Sequence, residues 1–277
     1  MSSSSSPSCA KRNHQKNNNV KATFHMSASI ESHFFITLAH FCDIHGPRVI
    51  QVTQVARSAE SLEQLLLRDY PTDAYCDSCR FQFPNVDKQK EKQHIAQDVD
   101  IKLRSMESHI DSAHYVSTQY SATRYLLLSS IIKKVFSEET MVYDESPLLF
   151  YDEERGFNVA VGFKLQDNYS RGNERRYCFI FSISDVNEVL CMNVVQRHLE
   201  FLLSSFGRMI TFVKTQRSEV LLQLQQDQQN PFMPTSSYLR SNTMKLPRSL
   251  SRLVQDEQFF VKLHKWNAYI LRNIDLP

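Results

Sequence analysis

Three arginines crowd one short polar stretch, Asp167-Asn168-Tyr169-Ser170-Arg171-Gly172-Asn173-Glu174-Arg175-Arg176-Tyr177, lying between two apolar segments. A guanidinium is planar, permanently charged and able to grip two phosphate oxygens at once. Carried on a stiff inter-strand loop, it can enter another protein's nucleotide site and neutralise charge developing on a transferring phosphoryl group. The alternative is a solvated hairpin tip whose arginines serve solubility.

Cys76-x-x-Cys79 is the second chemically suggestive feature, since thiolates at this spacing can share one tetrahedral zinc ion. Such a site needs a second pair of ligands, and His109 with His114, irregularly spaced, is the nearby candidate. One Cys-x-x-Cys is a weak signal, so two reduced loop cysteines, with no metal bound, are the favoured reading. No βα context surrounds the pair, which argues against a redox motif. His45-Gly46-Pro47-Arg48 offers a partner contact, with a plain turn as the alternative.

Much else is excluded. The chain has only five glycines, at 46, 156, 162, 172 and 207, and none cluster as a phosphate-cradling loop requires. Neither His-Glu-x-x-His nor Gly-x-Ser-x-Gly occurs, so familiar zinc-protease and α/β-hydrolase chemistry is absent. No cofactor is expected. A formal charge of +2, with charged residues on every predicted element, gives no basic stripe for nucleic acid. No apolar run approaches the roughly 20 residues that cross a bilayer. The amino terminus lacks the apolar stretch of a secretory signal. Six cysteines scattered along the chain make no disulfide framework, which points to a reducing, cytosolic setting.

The elements that must position these groups read as α+β. Phe34 to Cys42 has strand length, breaks at His45-Gly46-Pro47 and resumes at Val49 to Val55, predicting a hairpin. Ser61 opens a short helix with Gln64 at capping-box spacing. Leu127, Leu128, Ile131, Ile132 and Val135 recur at helical spacing, with Lys133 and Lys134 in the last turn. Strands follow at Leu148–Tyr151, at Phe157–Leu165 with its alternating apolar face, and at Tyr177–Ile183, with Val189–Cys191 starting or extending another. Val195, Leu199, Leu202, Phe206, Ile210 and Val213 mark a long amphipathic helix, and Phe259, Leu263, Trp266 and Ile270 a last one. The expectation is a mostly antiparallel five-stranded sheet with flanking helices. Residues 1–30 are Ser- and Asn-rich and predicted disordered. The ordered domain is expected over 31–277, interrupted by a polar insert at 71–118 and a polar loop at 223–247.

The phrase Ala39-His40-Phe41-Cys42-Asp43-Ile44-His45-Gly46-Pro47-Arg48-Val49 resembles the opening of the folliculin family. Further matching phrases follow in order: Tyr75-Cys76-Asp77-Ser78-Cys79-Arg80, Ser108-His109, Tyr115-Val116-Ser117, Ser146-Pro147-Leu148-Leu149-Phe150 and Arg248-Ser249-Leu250. The sequence is similar to short members of that family that carry a longin domain without the DENN domain. The resemblance implies a longin-type fold and places the family's catalytic arginine finger on Arg171, with Arg175 and Arg176 as adjoining binding residues. It implies a protein that is not itself an enzyme. Its partners would be a folliculin-interacting-protein-like longin/DENN subunit and a RagC/RagD-type GTPase. Its place would be cytoplasmic, recruited peripherally to the vacuolar or lysosomal membrane, in amino-acid signalling to target of rapamycin complex 1. A trafficking adaptor without a catalytic role is the alternative.

Overall fold

The computed structural model describes residues 33–67, 74–84, 105–137, 141–184, 187–228 and 247–274. The Ser/Asn-rich segment 1–30 and positions 229–246 of the polar loop lie outside the described residues. One antiparallel sheet runs β3-β4-β2-β1-β7-β6-β5. Its strands are β1 (Phe34–Cys42), β2 (Gly46–Ala56), β3 (Ser105–Ile110), β4 (Ala113–Thr118), β5 (Pro147–Asp152), β6 (Gly156–Gln166) and β7 (Glu174–Ile183). The helices are α1 (Ala59–Leu65), α2 (Tyr125–Val135), α3 (Glu188–Gln228), α4 (Leu250–Val254) and α5 (Phe259–Arg272).

The architecture is α+β as expected, but the sheet has seven strands, not five. The two additional strands, β3 and β4, fall inside the polar stretch 71–118. Their sequences, SMESHI and AHYVST, carry too few apolar residues to stand out by hydrophobic alternation. They form because β2 offers a free edge, onto which β4 pairs from Val52↔Thr118 to Ala56↔His114. Val189–Cys191 is not strand; it lies at the start of α3, where Cys191 N donates to Asn187 O. That helix also continues to Gln228, past the position where the polar loop was expected to begin. Ser58, not Ser61, caps α1, and Ser61 supplies the third-position partner of the capping box.

Central position explains the unbroken apolar run of β1. Phe34, Ile36 and Leu38 pack on the face covered by α3, α4 and α5, while Phe35 and Ala39 pack on the face covered by α2. With both faces buried, neither set can be polar. β7 repeats the pattern, with Tyr177, Phe179, Phe181 and Ile183 on the first face and Cys178 and Ile180 on the second. The expected alternation of β6 is met: Phe157, Val159, Val161, Phe163 and Leu165 all join the core under α3. Trp266, on the apolar face of the last helix, is half-buried beside the core against Phe212. Among the described residues no helix is long and apolar enough to cross a membrane.

A polar seam joins α5 to the sheet. Asn267 Nδ2 donates to Thr53 Oγ1 at 2.9 Å, Thr53 Oγ1 pairs with Ser117 Oγ at 2.8 Å, and Ser117 Oγ meets His264 Nδ1 at 2.7 Å. His264 Nε2 then reaches Ser108 Oγ at 3.1 Å. Burial holds the His264 imidazole down, to about 4 from 6.5. Between those two values the unfolded chain binds the proton and the folded one does not. Stability present above pH 6.5 is therefore lost as pH falls toward 4, by up to about 3 kcal/mol from this residue. Urea unfolding at pH 7 and pH 5 should show His264→Gln with the flatter loss. His40, also lowered to about 4, stays in both proteins, so equal losses would acquit His264.

Candidate functional site: the β6–β7 loop and the adjoining cysteine–histidine cluster

Residues 167–173 close the β6–β7 hairpin, and their own backbone folds them tightly. Asp167 N donates to Asn173 O at 2.9 Å, Ser170 N to Asp167 O at 2.9 Å, and Asn173 N to Ser170 O at 3.2 Å. The Ser170 hydroxyl lies 2.9 Å from both Asp167 O and Glu174 O. Gly172, at φ +75°, takes the left-handed conformation that turns the chain back toward β7. A Cβ there would meet open space, so only the backbone conformation asks for glycine.

The base of the loop is electrostatic. Asp167 is fully buried, and its Oδ2 accepts from Arg175 Nε at 2.6 Å while Oδ1 accepts from Arg248 Nη2. Burial pushes the Asp167 carboxyl up, but the hydrogen bonds from Arg175 and Arg248 outweigh it and hold it below the usual carboxylate range. The same carboxylate accepts from Tyr169 N at 3.1 Å, and the Arg248 guanidinium lies 4.3 Å from the Tyr169 ring centre. Behind the loop, Arg217 of α3 donates to Gln166 O at 2.8 Å and to Leu253 O at 3.0 Å. Two helices and a strand end are thereby tied to one turn.

The three arginines separate into different tasks. Arg175 is 5 % exposed and turned inward on Asp167, so it frames the loop and is not free to bind a partner. Arg176 is exposed on the opposite side of β7, its guanidinium 5.3 Å from the Tyr143 ring centre. Arg171 is exposed, and among the described residues no side chain pairs with its guanidinium. Its backbone N alone is held, donating to Asp43 Oδ2 at 3.1 Å.

Asp43 belongs to the β1–β2 turn, which lies at the same sheet end because β1 and β7 pair antiparallel through His40↔Tyr177. This turn carries half of a second constellation. Cys42, His45, Cys76 and Cys79 place one ligand atom each within 4.8 Å of all the others. The partner of Cys76-x-x-Cys79 is thus Cys42-x-x-His45, not His109 with His114. Those two histidines face each other across the β3–β4 hairpin, with His114 Nδ1 2.7 Å from Glu107 Oε1.

The positioning roles of three residues escape a reading of the sequence. Asp167 was visible as the acid opening the arginine-rich loop, whereas Arg248 is 81 positions away. Asp43 was visible only as part of a turn. The Cys42-x-x-His45 spacing was legible, but nothing local connects it to Cys76.

A family described as "Folliculin: Vesicle coat protein involved in Golgi to plasma membrane transport" matches residues 113–274. Protein LST7 of Saccharomyces cerevisiae is 42 % identical over 247 residues, covering 86 % of this chain and 95 % of that protein. The chain belongs to the folliculin family.

Removing the Asp167 carboxylate strands a buried guanidinium, a loss that typically costs about 3–5 kcal/mol. Asp167→Ala should lose that much in urea denaturation. Arg171→Ala, at an exposed and unpaired position, should stay within about 0.5 kcal/mol of the native protein. Near-equal stabilities of the two variants would contradict the division between frame and tip.

Proposed function

We propose that this folliculin-family chain supplies Arg171 in trans to the nucleotide site of a RagC/RagD-type small GTPase and thereby speeds GTP hydrolysis. It does so paired with a folliculin-interacting-protein-like longin/DENN subunit, itself contributing a longin-type domain. The assembly acts peripherally at the vacuolar membrane and feeds amino-acid state to target of rapamycin complex 1. The observation that carries this reading is the contrast within the loop. Its base is clamped by a buried carboxylate, two guanidinium groups and a backbone network, while the exposed Arg171 side chain has no partner among the described residues.

That arrangement suits a finger. The guanidinium meets phosphate without first breaking an ion pair, and the stiff base limits the entropy lost on insertion. Its effect would be electrostatic, matching the charge that spreads over the phosphoryl oxygens in the transition state. Arg176, exposed but resting on Tyr143, would contact the GTPase surface and not the nucleotide. The chain needs no catalytic chemistry of its own.

A second reading draws on the family's description as a vesicle coat protein in Golgi to plasma membrane transport. In it the chain is a longin-type adaptor in amino-acid permease sorting, and any GTPase contact is structural. The two readings part on one variant. Single-turnover GTP hydrolysis, with the complex reconstituted on its cognate GTPase, should fall by about 10³-fold or more in Arg171→Ala while affinity is kept. Arg171→Lys, which keeps charge but not the planar fork, should recover little. An unchanged rate with intact binding refutes the finger, and a loss of binding favours the adaptor.

A further inference from the structure

The four side chains at the β1–β2 turn are arranged as a coordination shell. Cys42 Sγ lies 3.6 Å from Cys76 Sγ and 3.7 Å from His45 Nδ1. Cys79 Sγ lies 3.6 Å from Cys76 Sγ and 3.5 Å from His45 Nδ1. Zinc–thiolate bonds of about 2.3 Å and zinc–imidazole bonds of about 2.0–2.1 Å fix the edges of a tetrahedron. Those edges are about 3.8 Å between sulfurs and about 3.6 Å from sulfur to nitrogen. The four observed separations fall within a few tenths of an ångström of them. We infer that Cys42, His45, Cys76 and Cys79 bind one zinc ion.

The surroundings fit that reading. Ile44 N points at Cys42 Sγ from 3.4 Å, the backbone donor that a thiolate in a tight turn attracts. Ser78 Oγ lies 3.1 Å from Cys76 Sγ and 3.6 Å from Cys42 Sγ. His40 Nε2 lies 3.2 Å from Cys79 Sγ and, in the tautomer that carries the proton on Nε2, donates to it. These groups form the outer ring of hydrogen bonds that orients metal ligands and tempers thiolate charge. Cys42 and Cys79 are buried, so a thiolate at either position needs a bound cation to offset the cost of desolvating its charge. Four protein ligands leave no open position, so the ion would be structural and not catalytic. On binding, the three thiols give up their protons to solvent and the imidazole binds in its neutral form.

The consequence reaches the β6–β7 loop. Residues 74–84 hold only one short turn of regular structure, Asp77–Cys79. A zinc ion would bolt that segment to the β1–β2 turn, and the turn contains Asp43, which holds Arg171 N. Metal binding and the posture of the arginine loop would therefore be linked through a single residue. The metal itself does not depend on the GTPase reading.

The full chain, purified in reductant without chelator, should carry one equivalent of zinc by elemental analysis. X-ray absorption should show three sulfurs and one nitrogen. Cys76→Ser and His45→Ala should lower metal retention at least about tenfold, whereas Cys191→Ala, a buried thiol outside the cluster, should keep full loading. Should a ligand variant not fold, chelation of the native chain serves instead: zinc release should lower Tm, and added zinc should restore it. Hydrogen exchange should then rise at 43–46 and 168–173 together. Folded, reduced protein that takes up no zinc would overturn the site, as would a Cys76–Cys79 disulfide in freshly lysed cells. Unchanged exchange at 168–173 would overturn the link to the loop.

Discussion

One buried carboxylate organises the functional end of this protein. Asp167 has no exposed surface, yet it stays ionised because Arg175 and Arg248 reach it from β7 and from the segment leading into α4. Buried ion pairs seldom add much net stability, since desolvation consumes most of the Coulomb gain. Their value here lies in geometry. An acid that can be satisfied only when two distant chain segments converge allows one loop conformation and penalises the others. Arg217 adds to the constraint by joining α3 to the end of β6 and to the end of α4.

That local constraint rests on a sheet with little freedom of its own. β1 and β7 are buried on both faces, and their side chains interleave with α2 on one side and with α3, α4 and α5 on the other. Close packing on two faces resists twist and slip, so the hairpin ends hold their positions relative to each other. The polar seam between α5 and β2–β4 supplies register, because Thr53, Ser117, His264 and Asn267 pair with one another in only one alignment. Apolar contact supplies the stability, and polar contact the uniqueness.

The legible part of the fold was the part with strong hydrophobic period. β1, β2, β6, β7, α2, α5 and the middle of α3 follow directly from it. The pair β3–β4 did not, because its strands lie at one margin of the sheet and present polar residues at Glu107, His109 and Thr118. An edge strand is specified by the neighbour it pairs with, and that neighbour is distant in sequence. The same limit governs the candidate site. The arginine-rich loop was visible as a local pattern, and the family resemblance singled out Arg171 within it. Asp167 with Arg248, and Cys42 with Cys76, are contacts across 81 and 34 positions, and no periodicity announces them.

The hydrogen bond from Arg171 N to Asp43 makes the two halves of the site one structure. An arginine finger, as proposed for Arg171, must be rigid at its root and free at its tip, and these demands conflict in a loop held only by its own backbone. The conflict is resolved here by division of labour. Asp167, Arg175 and Arg248 fix the loop where it leaves the sheet, Asp43 fixes the peptide of Arg171 itself, and nothing among the described residues engages the guanidinium. The anchor at Asp43 is only as firm as the β1–β2 turn. That turn is exposed at Asp43 and Ile44, so side-chain packing holds it little, and its hold comes from the β1–β2 ladder that closes at Cys42↔Gly46 and from the cysteines and histidine clustered there. Loosening them would leave the arginine in place chemically but, in the role proposed for it, would raise the entropy lost on presenting it to phosphate.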